Sequence, residues 1–249
     1  MPTRKPIAQI LADITDVVQS TFQENLVALV HYGPTVERDQ ESPNPRHDPI
    51  RLMLVLQTID DACLEQLADL DPVAIEQKQT EWLTLSEHEL HRSTDVFPEL
   101  FLEIKRRFEV ISGSDVLKDL DIGHHHLRLR CEQQFKTLLF ELQHDLQVKP
   151  KDHHLRLAEQ FLRFVEIAGG TLWLAGLQPP EDSQELLRVA TEELGIELEQ
   201  IERVRKAIDA NRLTKKNCLK TQIDFIGLVR IASNFVDAMD DEIIVVETE

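Results

Sequence analysis

Histidines are the first residues in this chain whose types and spacing could support chemistry. His124-His125-His126 with His153-His154 would suit a transition-metal ion if the imidazoles converged. Three consecutive helical residues, however, spread over about 200° of arc, so solvated histidines at a helix start are the expectation. Glu87-His88-Glu89-Leu90-His91 spaces its histidines three apart, not the four of the His-Glu-x-x-His zinc motif. Cys63, Cys131 and Cys218 form no Cys-x-x-Cys pair, and Cys131 falls on an apolar helical stripe. No Gly-x-Ser-x-Gly elbow, Walker lysine loop or Gly-x-Gly-x-x-Gly turn occurs, and the whole chain holds only eight glycines. The densest basic patch, Lys215-Lys216 with Arg212 and Lys220, preceded by Arg203, Arg205 and Lys206, reads as a solvated face. Lys105-Arg106-Arg107 reads the same way.

The elements that must position any site follow from periodicity. Ile7, Ile10, Leu11, Ile14, Val17, Val18 and Phe22 predict a helix that stops near Asn25. Leu26–His31 is a compact apolar run that predicts a buried strand, closed by the breaker Tyr32-Gly33-Pro34. A polar stretch with Pro43 and Pro45 follows, and Ile50–Leu56 predicts a second buried strand. Asp60 or Asp61 caps a short helix, Glu81–Leu85 predicts a third strand, and Ser86-Glu-His-Glu89 matches a capping box. Phe101–Ile104 and Phe108–Ile111 are ambiguous between helix and strand, and Gly113 ends them.

From about residue 120 the pattern changes to long helices. One stripe carries Cys131, Phe135, Leu138, Leu139, Leu142 and Leu146. Another carries Leu157, Phe161, Phe164, Val165, Ala168, Leu172 and Ala175. Gly169-Gly170 inside the second allows either close helix contact or a kink. Two shorter helices, near 183–194 and 197–210, precede a last one striped by Leu219, Ile223, Ile226, Val229, Phe235 and Met239. The expectation is an α+β fold: a small mixed sheet with flanking helices over 1–120, then an all-α helical bundle over 121–249 with an acidic tail.

In order along the chain, these features resemble the nucleotidyltransferase superfamily. In that family a first strand runs into a Gly-Ser turn, a second carries Asp-x-Asp, and the next supplies a third carboxylate. Two aspartates one residue apart share a strand face. There they bind two Mg²⁺ ions about 3.5–4 Å apart, which clamp the phosphates and the attacking oxygen. Thr84–Lys105 and His126–Gln134 are similar to segments of one bacterial subfamily with a helical C-terminal region.

The resemblance implies a small nucleotidyltransferase-like sheet and a cleft rimmed by Gly33, Asp48, Arg51 and Glu81. At the decisive positions the chain departs from the pattern. Gly33 keeps the turn glycine, but Pro34 replaces the serine and has no N–H for a phosphate. Glu37 falls near the family's basic residue, which Arg38 replaces if the loop shifts. Asp48-Pro-Ile-Arg-Leu-Met-Leu-Val places Pro49 and Arg51 at the two metal aspartates, and no register restores the pair. Asp48 and Glu81 are the candidate carboxylates, with Glu103 a weaker third. Gly33, Arg38 and Arg51 are the candidate ligand contacts, and no metal ligand is assigned.

Charge and composition narrow the function. Twenty-seven basic against 45 acidic side chains leave a formal −18, which opposes binding to duplex DNA or anionic membranes. No stretch approaches the ~20 apolar residues of a spanning helix, and the start has no apolar run of signal-peptide length. Sparse, unpaired cysteines suit a cytoplasmic protein. The first reading is therefore a protein of this fold without its metal pair, non-catalytic, binding a nucleotide or phosphate or a protein partner, and needing no cofactor. A second reading is an active Mg²⁺-dependent enzyme, with carboxylates drawn from Asp39, Glu41 or Asp48, that moves a nucleotidyl group onto a small molecule or a protein. A third is a helical scaffold that works as a homodimer without nucleotide.

Overall fold

In a computed structural model the described residues are 6–36, 49–70, 80–209 and 215–239. The chain divides into two compact units, Met1–Ile122 and Gly123–Glu249. The first unit runs α1 (Ile7–Phe22), β1 (Leu26–Tyr32), β2 (Ile50–Leu56), α2 (Asp61–Ala68), β3 (Thr80–Ser86), α3 (Glu87–Ser93), α4 (Pro98–Arg106) and β4 (Phe108–Gly113). Its strands form one mixed sheet in the order β3-β2-β1-β4. β1 lies antiparallel to both β2 and β4, and β2 lies parallel to β3.

The two central strands read as unbroken apolar runs because both sheet faces are covered. On one face Leu29, Leu52, Leu54 and Leu56 pack with Ile10, Leu11, Ile14, Val18 and Phe22 of α1 and Cys63 of α2. On the other, Ala28, Val30, Met53 and Val55 pack with Leu90, Phe101 and Ile104 of α3 and α4, and with Leu117 and Leu120. The ambiguous segments are resolved by this second layer. Phe101 and Ile104 lie three apart on one buried helix face, whereas Phe108 and Val110 alternate as a strand does.

Local chemistry sets the boundaries. The Asp60 carboxylate accepts from the Cys63 N–H at 2.8 Å and starts α2. Ser86 and Glu89 form the expected capping box, with Glu89 N–H donating to Ser86 Oγ at 3.2 Å and Ser86 N–H to Glu89 Oε2 at 2.8 Å. These bonds hold the Glu89 carboxyl below the usual carboxylate range.

The second unit runs α5 (His124–Val148), α6 (His153–Leu174), α7 (Ser183–Glu193), α8 (Leu198–Asp209) and α9 (Lys215–Asp237). Phe135, Phe161, Phe164 and Phe225 build its aromatic centre, with neighbouring ring centroids 5.6–6.2 Å apart. α6 runs unbroken through Gly169-Gly170, both buried, with Gly169 facing Leu186 of α7. That is the close-contact alternative rather than the kink.

One expected stripe is corrected. Leu219 and Ile223 of α9 are exposed, whereas Ile226 and Val229 of the same stripe are buried, together with Cys218, Gln222, Phe225, Ala232 and Val236. Gln222 takes a core position because its amide donates to Leu142 O at 2.7 Å, so residue type alone misplaces the face. The acidic stretch from Asp240 and the side chains of Lys215 and Lys216 lie outside the described residues. No helix among the described residues is long and apolar enough to cross a membrane.

Gly113 closes β4 with φ +85°, and a Cβ there would sit 2.1 Å from Val27 O. The Gly113→Ala variant combines a left-handed backbone with a backbone clash. It is expected to lose about 2 kcal/mol or more of unfolding free energy in a urea titration. An unchanged midpoint would contradict this packing.

Candidate functional site

β1 delivers its last residues to the end of the sheet where β2 begins. Tyr32 pairs with Arg51 on one side and Phe108 on the other, and Arg51 pairs with Glu81. Residues opposite one another in a sheet share a face, so Glu81, Arg51, Tyr32 and Phe108 form a row across all four strands. The row lies on the face covered by α3 and α4, since Tyr32 and Phe108 pack against that core.

An ion pair is at the centre of the row. Arg51 Nε donates to Glu81 Oε2 at 3.1 Å. Both side chains are open to solvent, 41% and 59% exposed, so as a stability term the pair is worth only about 0–1 kcal/mol. Its position matters more than its strength. Burial raises the pKa of the neighbouring Tyr32 phenol, Arg51 opposes that shift, and Glu81 adds to it. The phenol therefore stays protonated and able to donate.

The turn that follows β1 has already used its backbone. Gly33 has φ +84°, its N–H donates to Arg107 O at 2.9 Å, and its carbonyl accepts from Val36 N at 3.1 Å. Pro34 supplies no N–H. A Cβ on Gly33 would lie 3.5 Å from Arg51 Cδ and 3.8 Å from Arg51 Nη1, so the arginine stem lies along the turn. On the other side of β1, buried His31 contacts Thr35 Oγ1 through Nε2 at 2.8 Å and ties the turn back to its own strand.

Of the residues singled out from the sequence, the fold brings Gly33, Arg51 and Glu81 together. Arg38 and Asp48, with Glu37, Asp39 and Glu41, lie outside the described residues. Glu103 stands on α4 beside Arg106, 3.8 Å away, and not in the row. Tyr32, His31 and Thr35 carried no separate signal, because Tyr32-Gly33-Pro34 reads only as a chain breaker.

The histidines do not converge. His124 meets Leu174 O at 3.2 Å, and His125 and His126 touch edge to face. No group of three His, Cys, Asp or Glu side chains suited to a metal ion occurs among the described residues. The basic residues of α8 are paired along their own helix, Arg203 with Glu199, and Arg205 and Lys206 with Glu202.

A spectinomycin adenyltransferase from Enterococcus faecialis, solved with ATP and spectinomycin, superposes with a TM-score of 0.52 at 13% identity, covering 93% of this chain and 100% of that one. This chain has the nucleotidyltransferase fold. A nucleotidyltransferase-like protein from Exiguobacterium sibiricum superposes with a TM-score of 0.45 at 10% identity, covering 92% of this chain and 78% of that one. No protein-family model and no curated protein matches the sequence.

For an active enzyme the family resemblance would imply Mg²⁺, and the donor set among the described residues does not fit it. The row offers one carboxylate, Glu81, and that carboxylate is tied to a guanidinium. A divalent ion there would meet a like charge, which costs several kcal/mol at about 4 Å and an effective dielectric of about 20.

Burial lowers the pKa of His31 from 6.5 to about 4. The folded state thus favours neutral His31. Its stability contribution is complete above pH 6.5 and falls as pH drops toward 4, by about 1.4 kcal/mol per unit. Thermal melts of the protein and of His31→Gln between pH 7 and 4.5 check this. The difference between the two should narrow as pH falls, and a constant difference would contradict a buried neutral His31.

Proposed function

We propose that this chain is a non-catalytic protein of the nucleotidyltransferase fold whose remaining site takes a nucleotide phosphate at Arg51 without Mg²⁺. The observation that carries the reading is the Arg51–Glu81 pair, in the row where the family resemblance implies metal-binding carboxylates.

Glu81 engages Arg51 through Nε alone among the described residues. The outer edge of the guanidinium, Nη1 and Nη2, is the pair of donors that matches two phosphate oxygens. Gly33 N–H is spent on Arg107 O, and Pro34 has none. Arg51 therefore bears the contact that a turn backbone would otherwise share. Tyr32, protonated and next in the row, offers a second donor. Transfer of a nucleotidyl group needs charge stabilisation on both the attacking and the leaving oxygen, and a single paired arginine does not supply it.

Titration calorimetry with ATP in the presence of a chelator tests the assignment. Arg51→Ala should weaken binding about tenfold or more, the range for a charge-assisted hydrogen bond. Glu81→Gln keeps an acceptor for Nε and removes the opposing charge, so it should bind severalfold more tightly. Arg51→Ala binding as well as the parent protein would overturn the site.

A further inference from the structure

We infer that the helical unit holds one internal water molecule, bridging the side-chain carbonyls of Gln160 and Gln222 in a polar layer between α5, α6 and α9. The layer is built around Asp145, which is 0% exposed. Its carboxylate accepts from Arg156 Nε at 3.0 Å, Arg156 Nη2 at 2.8 Å and Gln160 Nε2 at 3.0 Å. Gln222 Nε2 donates to Leu142 O, less than one turn away on α5.

Both glutamines are buried, 4% and 0% exposed, and in both the Oε1 atom has no partner among the described residues. Turning either amide over does not help, because each Nε2 already holds an acceptor: a carboxylate for Gln160 and a main-chain carbonyl for Gln222. Two acceptors cannot satisfy each other, so the donor they need is not among the described residues, and water is the donor we assign.

The two residues stand at similar heights along their helices. Lys136 reaches Asp237 and Leu142 reaches Gln222, so α5 and α9 run antiparallel. Arg163 reaches Glu141 and Arg156 reaches Asp145, so α5 and α6 also run antiparallel. α6 and α9 therefore run the same way. Phe161 and Phe164 on α6 both contact the ring of Phe225 on α9. Gln160 lies one turn before Phe164, and Gln222 lies one turn before Phe225. Gln160 also directly precedes Phe161, so the two glutamines start from neighbouring levels of α6 and α9.

Water fits this gap because it brings two O–H donors to two acceptors and carries no charge. A cation fits less well, because the Arg156 guanidinium already neutralises Asp145 at the same level.

The test is a crystal structure of the full chain at about 1.8 Å or better. The inference predicts a single peak about 2.6–3.2 Å from both Oε1 atoms. A dry layer, or a protein donor on either oxygen, would overturn it. So would four or more oxygens around the peak, which would mark a cation.

Gln160→Met and Gln222→Met keep the volume and give a second readout in thermal melts. Each single variant removes one end of the same bridge. The double variant should therefore lose less melting temperature than the sum of the two singles. Strictly additive losses would overturn the shared water.

Discussion

The burial of β1 and β2 on both faces is the constraint on which the site depends. A strand with one wet face tolerates a slip in register, whereas one covered on both faces has every side chain fixed by a partner. Leu29, Leu52, Leu54 and Leu56 are locked against α1, and Val30, Met53 and Val55 against α3 and α4. A shift of one residue would exchange these sets and put Arg51 on the α1 face. The two cores thus place Tyr32 opposite Arg51, and the parallel pairing of β3 places Arg51 opposite Glu81.

From that placement the chemistry of the site follows. Where the fold, by its family resemblance, implies two carboxylates and a turn rich in free N–H groups, this chain presents a cation, a proline and an amide already bonded to Arg107. The substitutions agree with one another. The Arg51 guanidinium stands in the row with Glu81 bonded to it, and the turn bonds back to Arg107 and through His31 to Thr35. The fold rests on its two apolar layers, whose packing calls for no metal ligand.

Much of the fold was legible in the sequence. β2 begins and ends where its apolar run does, and the capping box at Ser86 sits where the spacing places it. These signals are local, so a single chain carries them. The misreading on α9 had a different origin. Gln222 is core because Leu142, eighty residues earlier, offers it a carbonyl, and no periodicity along one helix contains that fact. Phe101 and Phe108 were ambiguous for the same reason, since only the α3 and α4 layer decides which becomes helix and which strand. At the site the sequence indicated Gly33, Arg51 and Glu81 through the family resemblance. Tyr32, half-buried between Arg51 and Phe108, became visible only with the sheet in register.

The central claim is that the site works without a divalent ion. The most direct measurement is calorimetric titration of the unaltered protein with ATP, once in excess Mg²⁺ and once in chelator. The account predicts binding in both, with no gain from Mg²⁺. Binding that appears only with Mg²⁺ would contradict it, and would mean that carboxylates other than Glu81 assemble a metal site around the nucleotide.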